Sequence, residues 1–375
     1  MTHYATHLGA SPGRGGYAEA KEAERLLDQC RHRINQLIGG DPAHPQQIIF
    51  TLNATDALNL AIRGLVPDSQ GRAHVITTWL DHNSVLRPFN LLAKCNGAEV
   101  TRLRCDPTTG LVDPENVRQA IRPDTCLIAI VHGSNVTGTL QPISEIGCIA
   151  QAHDVPLLVD AAQTLGHVPV QVQDDHIDLL AFPGHKGLLG PLGTGGLYIR
   201  PGLERRMRTV RAGGTGSVSE LDVQPDFLPD RFETGSHNAI GLIGLSEAIR
   251  WIQNQGVKKL WRHEQELIGT MIDGLGTNPR LTWFGPRSLD CRCGVFSVRI
   301  AGFDQPQILS DVLEREFGLL TRSGLHCAPL AHKTIGTDQL GGTTRLSFGP
   351  FLSTDDIRCA TTAILEISDR CATVA

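Results

Sequence analysis

Between about residues 46 and 200, short apolar runs with no polar alternation recur between amphipathic stretches, and this rhythm decides most of the fold. The runs at 48–51, 75–78, 127–131, 157–160, 179–182 and 196–199 are four or five residues long and rich in Ile, Val and Leu. A strand with one face in water alternates polar with apolar residues; one covered on both faces does not. The intervening stretches 54–64, 83–94, 114–121 and 143–153 carry apolar residues at helical spacing. The pattern predicts an α/β fold, a mostly parallel sheet sandwiched by helices. In such sheets the chemistry gathers at the carboxyl ends of the strands.

Downstream the pattern changes twice. Residues 211–236 are rich in Gly, Pro and Asp and read as a long ordered loop, and loops of that length inside enzymes usually serve function. Helices follow at 238–255 and 258–275, then strands near 295–300, 319–321 and 344–348 with helices near 306–316 and 355–367. The expected division is a large cofactor-binding domain at 17–257 and a small C-terminal α+β domain at 258–375, with residues 1–16 near the latter. The chain has 375 residues, enough for two such units. A net charge of -5 gives no reason to expect nucleic acid. No apolar run approaches membrane-spanning length, and Met1-Thr2-His3-Tyr4-Ala5 lacks the apolar centre of a signal peptide. The ten cysteines hold no C-x-x-C pair. That scatter suits reduced thiols in a cytoplasmic protein, and the lone Cys291-Arg292-Cys293 gives no metal set.

The chemistry starts at Lys186, in the turn Pro183-Gly184-His185-Lys186-Gly187 after an apolar strand. A single loop lysine is ordinarily just exposed. Here the strand Leu157-Leu158-Val159-Asp160 delivers a carboxylate at its own carboxyl end. Partial desolvation lowers an amine's pKa and makes it a nucleophile toward an aldehyde. A lysine and a carboxylate fixed this way are the pair that pyridoxal phosphate chemistry uses, the amine for the aldehyde and the acid for the pyridinium nitrogen. Asn53-Ala54-Thr55 falls between a strand and a helix, where free N–H groups favour a phosphate, although Asn and Thr also cap helices without binding anything.

Seven segments in order resemble the class V aminotransferase-fold enzymes, closest to the group II cysteine desulfurases. They are Thr51 to Asn59, Asp81-His82-Asn83-Ser84, Ser134 to Thr139, Val159 to Gln163, Gly184-His185-Lys186, Arg231 to Ser236 and Arg322 to Pro329. The resemblance implies fold type I of the pyridoxal phosphate-dependent transferases. It implies removal of sulfur from L-cysteine, giving alanine and a persulfide on Cys327. It also implies roles: Lys186, Cys327 and His82 catalytic; Ala54, Thr55, His82, Asn135, Asp160, Gln163, His185, Lys186 and Ser236 on the cofactor; Asn135, Arg322 and Arg345 on the substrate. His82 is expected to stack on the ring, and Ser236 to reach the phosphate of a neighbouring subunit, which makes a homodimer with a shared site. A sulfur-acceptor protein is a further expected partner. Two departures stand out. The family's opening Tyr-Leu-Asp-Asn-Ala-Ala strand has no counterpart before Gly9, and Pro183 replaces a Ser or Thr, removing one phosphate contact. Two other readings stay open: C–S or selenocysteine lyase chemistry by elimination, and a catalytically weak shortened homologue.

Overall fold

The computed structural model describes residues 1–13, 15–67 and 73–370. Cys371 and the end of the expected small domain lie outside them. The large sheet has seven strands: β1 (Ile48–Thr51), β2 (His74–Thr78), β3 (Glu99–Leu103), β4 (Thr125–Val131), β5 (Leu157–Asp160), β6 (Leu179–Pro183) and β7 (Gly195–Ile199), in the order β1-β7-β6-β5-β4-β2-β3. From β3 to β6 neighbours run parallel, while β7 is antiparallel to both β6 and β1. Every residue of β1, β2, β5, β6 and β7 is buried, the physical reason those runs show no alternation. The strand β3 was not expected. It sits at the sheet edge, and Glu99, Thr101 and Arg102 dilute its apolar signal.

Helices α1 (Ala18–Leu37), α2 (Ala54–Leu65), α3 (Asn83–Asn96), α4 (Pro114–Ala120), α5 (Ile143–Ala152) and α6 (Ala239–Gln255) cover the two faces of this sheet. One face packs Ile34, Ile76, Ile128, Val159 and Leu180 into a core with α1, α5 and α6; the other packs Leu58, Ile62, Phe89, Leu158 and Leu197 with α2 and α3. The first residues join the large unit, not the small one: Tyr4 packs on the α1–α6 side, and Met1 lies against Gly244 of α6. Residues 211–236 contain neither helix nor strand, as expected.

A second core lies beneath a four-stranded antiparallel sheet of β8 (Leu281–Trp283), β9 (Val295–Ile300), β10 (Arg322–Gly324) and β11 (Thr343–Ser347), ordered β10-β11-β9-β8. Helices α7 (Val257–Leu275), α8 (Pro306–Phe317) and α10 (Thr354–Arg370) cover it; α9 (Pro329–Thr334) follows the Cys327 loop. The strand expected at 319–321 falls at Arg322–Gly324 instead, because register with β11 pairs Arg322 with Arg345. Among the described residues no helix is long and apolar enough to cross a membrane.

Candidate active site

Asp160 ends β5 and is in register with Val131 and Ala181, so it emerges at the carboxyl edge of the parallel strands. It is 3% exposed, and one carboxylate oxygen accepts the Ala162 N–H at 2.9 Å. No cation of the described residues pairs with it. Burial raises its pKa, opposed by the Ala162 bond and by Lys186. A buried carboxylate with one donor needs a cationic partner.

Lys186 lies three residues beyond β6, in a loop closed by Gly184 N–H to Thr194 O (2.7 Å), Gly190 N–H to Gly184 O (2.7 Å) and Leu189 N–H to Lys186 O (2.8 Å). Gly166, φ +107°, permits the loop after β5 to cross this one, since a Cβ there would fall 2.3 Å from Gly187 O. The lysine lines an open cavity that solvent reaches, yet protein surrounds it. Burial lowers its pKa, Asp160 opposes, and Arg345 and Arg322 lower it further.

That cavity, about 470 Å³, is lined by Asn53, Ala54, Thr55, His82, Ser84, Asn135, Asp160, Gln163, Pro183, His185 and Lys186 among others. Eight sequence-expected positions line it: Ala54, Thr55, His82, Asn135, Asp160, Gln163, His185 and Lys186. Asp81 builds the turn that delivers His82: one carboxylate oxygen accepts from Thr77 Oγ1 (2.8 Å), Thr78 N–H (2.6 Å) and Thr78 Oγ1 (2.8 Å). His82 then caps α3, its Nδ1 accepting the Ser84 N–H at 3.1 Å. Burial, reinforced by Lys186 and nearby arginines, pushes the His82 pKa down to about 4, so the ring is neutral with its proton on Nε2. His185 is lowered by burial and by Lys186.

Asn135 is the junction between this cavity and the small sheet. Its Nδ2 donates to His326 O at 2.7 Å, and its own carbonyl accepts from Arg345 at 3.0 Å. Its Oδ1 is buried without a partner among the described residues, beside the cavity. The next residue, Cys327, is exposed; its carbonyl accepts the Asn83 N–H at 2.9 Å, and its Sγ lies 3.8 Å from an Arg322 nitrogen. Both His326 and Cys327 have positive φ, +50° and +59°. The Cys327 loop is therefore tied to the helix that carries His82 and to Asn135.

Arg345 opens onto a second recess of about 280 Å³ that shares Gln163 and Lys186 with the first. Facing guanidiniums on paired strands repel unless an anion bridges them. Burial lowers the Arg345 pKa, and Arg322 lowers it further. Ser236 is not brought into the cavity: it is exposed and lines a separate small recess with Arg211, Thr234 and Asn238. The sequence reading passed over the roles of Asp81 and Ser84, although both sit in the Asp-His-Asn-Ser segment it singled out. It also passed over Glu264, which accepts the Gly294 N–H at 2.6 Å and pairs with His167 across the second recess. No spacing in the chain joins residues so far apart.

The class-V aminotransferase family model matches residues 1–359. A probable cysteine desulfurase of Methanothermobacter thermautotrophicus is 32% identical over 98% of this chain and 90% of its own length. A cysteine desulfurase of Escherichia coli O157:H7 is 31% identical over 86% of this chain and 78% of its own. Among solved structures, the apo cysteine desulfurase of Thermococcus onnurineus superposes with a TM-score of 0.89 at 30% identity, covering 98% of this chain and 90% of that one. The seven-stranded sheet, its helical layers and the smaller sheet match the fold type I of such structures. By sequence over nearly its whole length and by architecture, the chain belongs to the class-V aminotransferase family, among relatives named cysteine desulfurases.

Proposed function

We propose that this chain is a pyridoxal phosphate-dependent enzyme that removes sulfur from L-cysteine, releasing alanine and leaving the sulfur on Cys327. Proteins of this family generally use that cofactor. The observation that carries the reading is one cavity that gathers Lys186, Asp160, His82 and an unpartnered Asn135 Oδ1, with the Cys327 loop hydrogen-bonded to two of its walls. The residues fit the group. Asp160 supplies the missing counter-charge for a protonated ring nitrogen, Lys186 an amine of lowered pKa for the aldehyde, and the start of α2 with Thr55 and His185 a place for the phosphate. When bound, pyridoxal phosphate supplies the electron sink for charge that develops at the substrate Cα.

The chain's own residues supply the rest. Arg345 and Arg322 clamp the substrate carboxylate between their guanidiniums, relieving their mutual repulsion. Lys186 Nζ, with its lowered pKa, moves the Cα proton. His82 packs as a neutral ring over the cavity and presents Nε2–H as a donor. Cys327 Sγ, exposed and near Arg322, takes the sulfur and can pass it outward to an acceptor protein. Ser236, outside the cavity of its own chain, is free to serve the site of a second copy, consistent with a homodimer.

The test is a product assay with L-cysteine and a reductant, reading sulfide, alanine and pyruvate together. Cys327→Ala should abolish sulfide and alanine release while the cofactor stays fixable by borohydride; Lys186→Ala should abolish that fixation. Pyruvate formed undiminished by Cys327→Ala would replace this reading with elimination.

A further inference from the structure

The starts of α2 and α3 meet at one end of the cavity, and what meets there is a pair of hydroxyls. Thr55 Oγ1 and Ser84 Oγ are 2.8 Å apart, and Ser84 Oγ is also 2.9 Å from His82 Nδ1. Both residues line the cavity, as does Pro183, which has neither hydroxyl nor N–H to offer. At the start of α2, Asn53 occupies two N–H groups: its Oδ1 accepts from Asp56 at 3.0 Å and its carbonyl from Ala57 at 3.1 Å. The N–H groups of Ala54 and Thr55 have no acceptor among the described residues, and they face the positive end of the helix.

The protons of the hydroxyl pair can be counted. His82 Nδ1 already accepts a backbone N–H from Ser84, so it cannot donate to Ser84 Oγ. Without an anion, the chain of bonds runs from Thr55 to Ser84 to His82. With an anion at the α2 start, Thr55 can donate to it while its 2.8 Å contact with Ser84 stays hydrogen-bonded only if the chain reverses: Ser84 donates to Thr55 Oγ1, and Thr55 donates to the anion. We propose that Ser84 is a positioning residue for a phosphate monoester: its hydroxyl commits Thr55 as a donor, in a cavity where Pro183 provides none. The proposal rests on the cofactor reading above and names a residue that reading does not use. The shared chemistry is a phosphate group, whether carried by the cofactor or free.

The test compares the affinity of the 375-residue chain for pyridoxal phosphate, for pyridoxal and for inorganic phosphate. Binding of the two aldehydes is followed by absorbance, and that of inorganic phosphate by the shift in melting temperature. Ser84→Ala, which keeps the backbone N–H and the α3 start, should weaken pyridoxal phosphate about tenfold, the scale of a hydrogen bond to a charged group. Pyridoxal, which lacks the phosphate, should bind unchanged. Ser84→Thr should restore the affinity, and Pro183→Ser should recover part of it in the Ser84→Ala background. Equal weakening of both aldehydes, or of neither, overturns the proposal. If the unaltered chain takes up neither aldehyde, the cofactor reading is what fails. The inorganic phosphate arm then decides Ser84 by itself: loss of the melting shift in Ser84→Ala supports the role, and its retention overturns it.

Discussion

Asn135 shows how much of the geometry one amide can hold. Its side chain donates to the loop that carries Cys327, its carbonyl holds Arg345, and its Oδ1 is left for whatever fills the cavity. Because Nδ2 is committed to His326 O, the amide has one orientation, and its acceptor faces inward. Asn135→Asp keeps the size and the backbone contact but replaces the donor with an oxygen that repels the His326 carbonyl. Loss of one buried hydrogen bond is worth about 1 kcal/mol, so amide hydrogen exchange in 323–328 should quicken about fivefold in the cofactor-free chain. Exchange elsewhere should hold steady, and an unaltered rate in 323–328 would show that the tie does not restrain the loop. The buried Arg31–Glu233 pair is a residue-scale contrast: burial alone would raise the Glu233 pKa, yet Arg31 and His237 drive it down to about 2. That pair fastens α1 to the end of the long loop and takes no part in the cavity.

At the scale of elements, two glycines separate close approach from empty space. In Gly166→Ala a Cβ would collide with the Gly187 carbonyl, in a backbone conformation that L residues avoid. The loop after β5 and the lysine loop could not both keep their places. A destabilisation of about 2 kcal/mol or more is expected, with weaker cofactor retention. Gly269, inside α7, has nothing within 4 Å of a built Cβ. There alanine should stabilise by about 1 kcal/mol through helix propensity. Thermal melts of both variants check the opposite signs, and a loss of stability in Gly269→Ala would contradict the open space. The same scale explains what could be read in the sequence. Buried parallel strands announce themselves, so the ends that deliver Asp160 and Lys186 were legible from composition and turn residues alone. β10 was not: Leu319 and Leu320 drew the expectation, but Leu320 is 82% exposed, and pairing of Arg322 with Arg345 sets the strand. Nor was the tie between Asn135 and His326, which spans 191 residues, or the Thr55–Ser84 pair, which spans 29. Local pattern places elements; it says nothing of which loop lies on which.

For the whole molecule, the buried histidines set the response to acid. Burial lowers His82, His132 and His332 to about 4 and His326 to about 3, against an ordinary value of 6.5. Folded, each stays neutral well below pH 6.5; unfolded, each takes up a proton there. Between about pH 6.5 and 4 the unfolded chain therefore binds more protons, and stability falls as pH falls. The fully buried pair, His326 and His332, each contributes up to about 1.4 kcal/mol per pH unit in that window. Two carboxyls act the other way. Burial raises Asp81 to about 6 and raises Asp160 as well, so the folded state holds their protons first and gains as pH falls. Burial lowers His74 as well, so the histidines outnumber the two carboxyls and leave a net loss. Glu233 adds a second, lower window: its depressed pKa stabilises above about 4.5, and that contribution is lost as pH falls toward 2. The urea midpoint of the cofactor-free chain should accordingly decline from pH 7 to pH 5, before any surface carboxylate titrates, and then drop again below pH 4.5. His332→Gln removes one of the responsible groups, a buried ring in α9 that does not line the cavity. It should flatten the first decline while leaving the second in place, and a midpoint that is level from pH 7 to pH 5 in the unaltered chain would mean these rings are protonated in the fold.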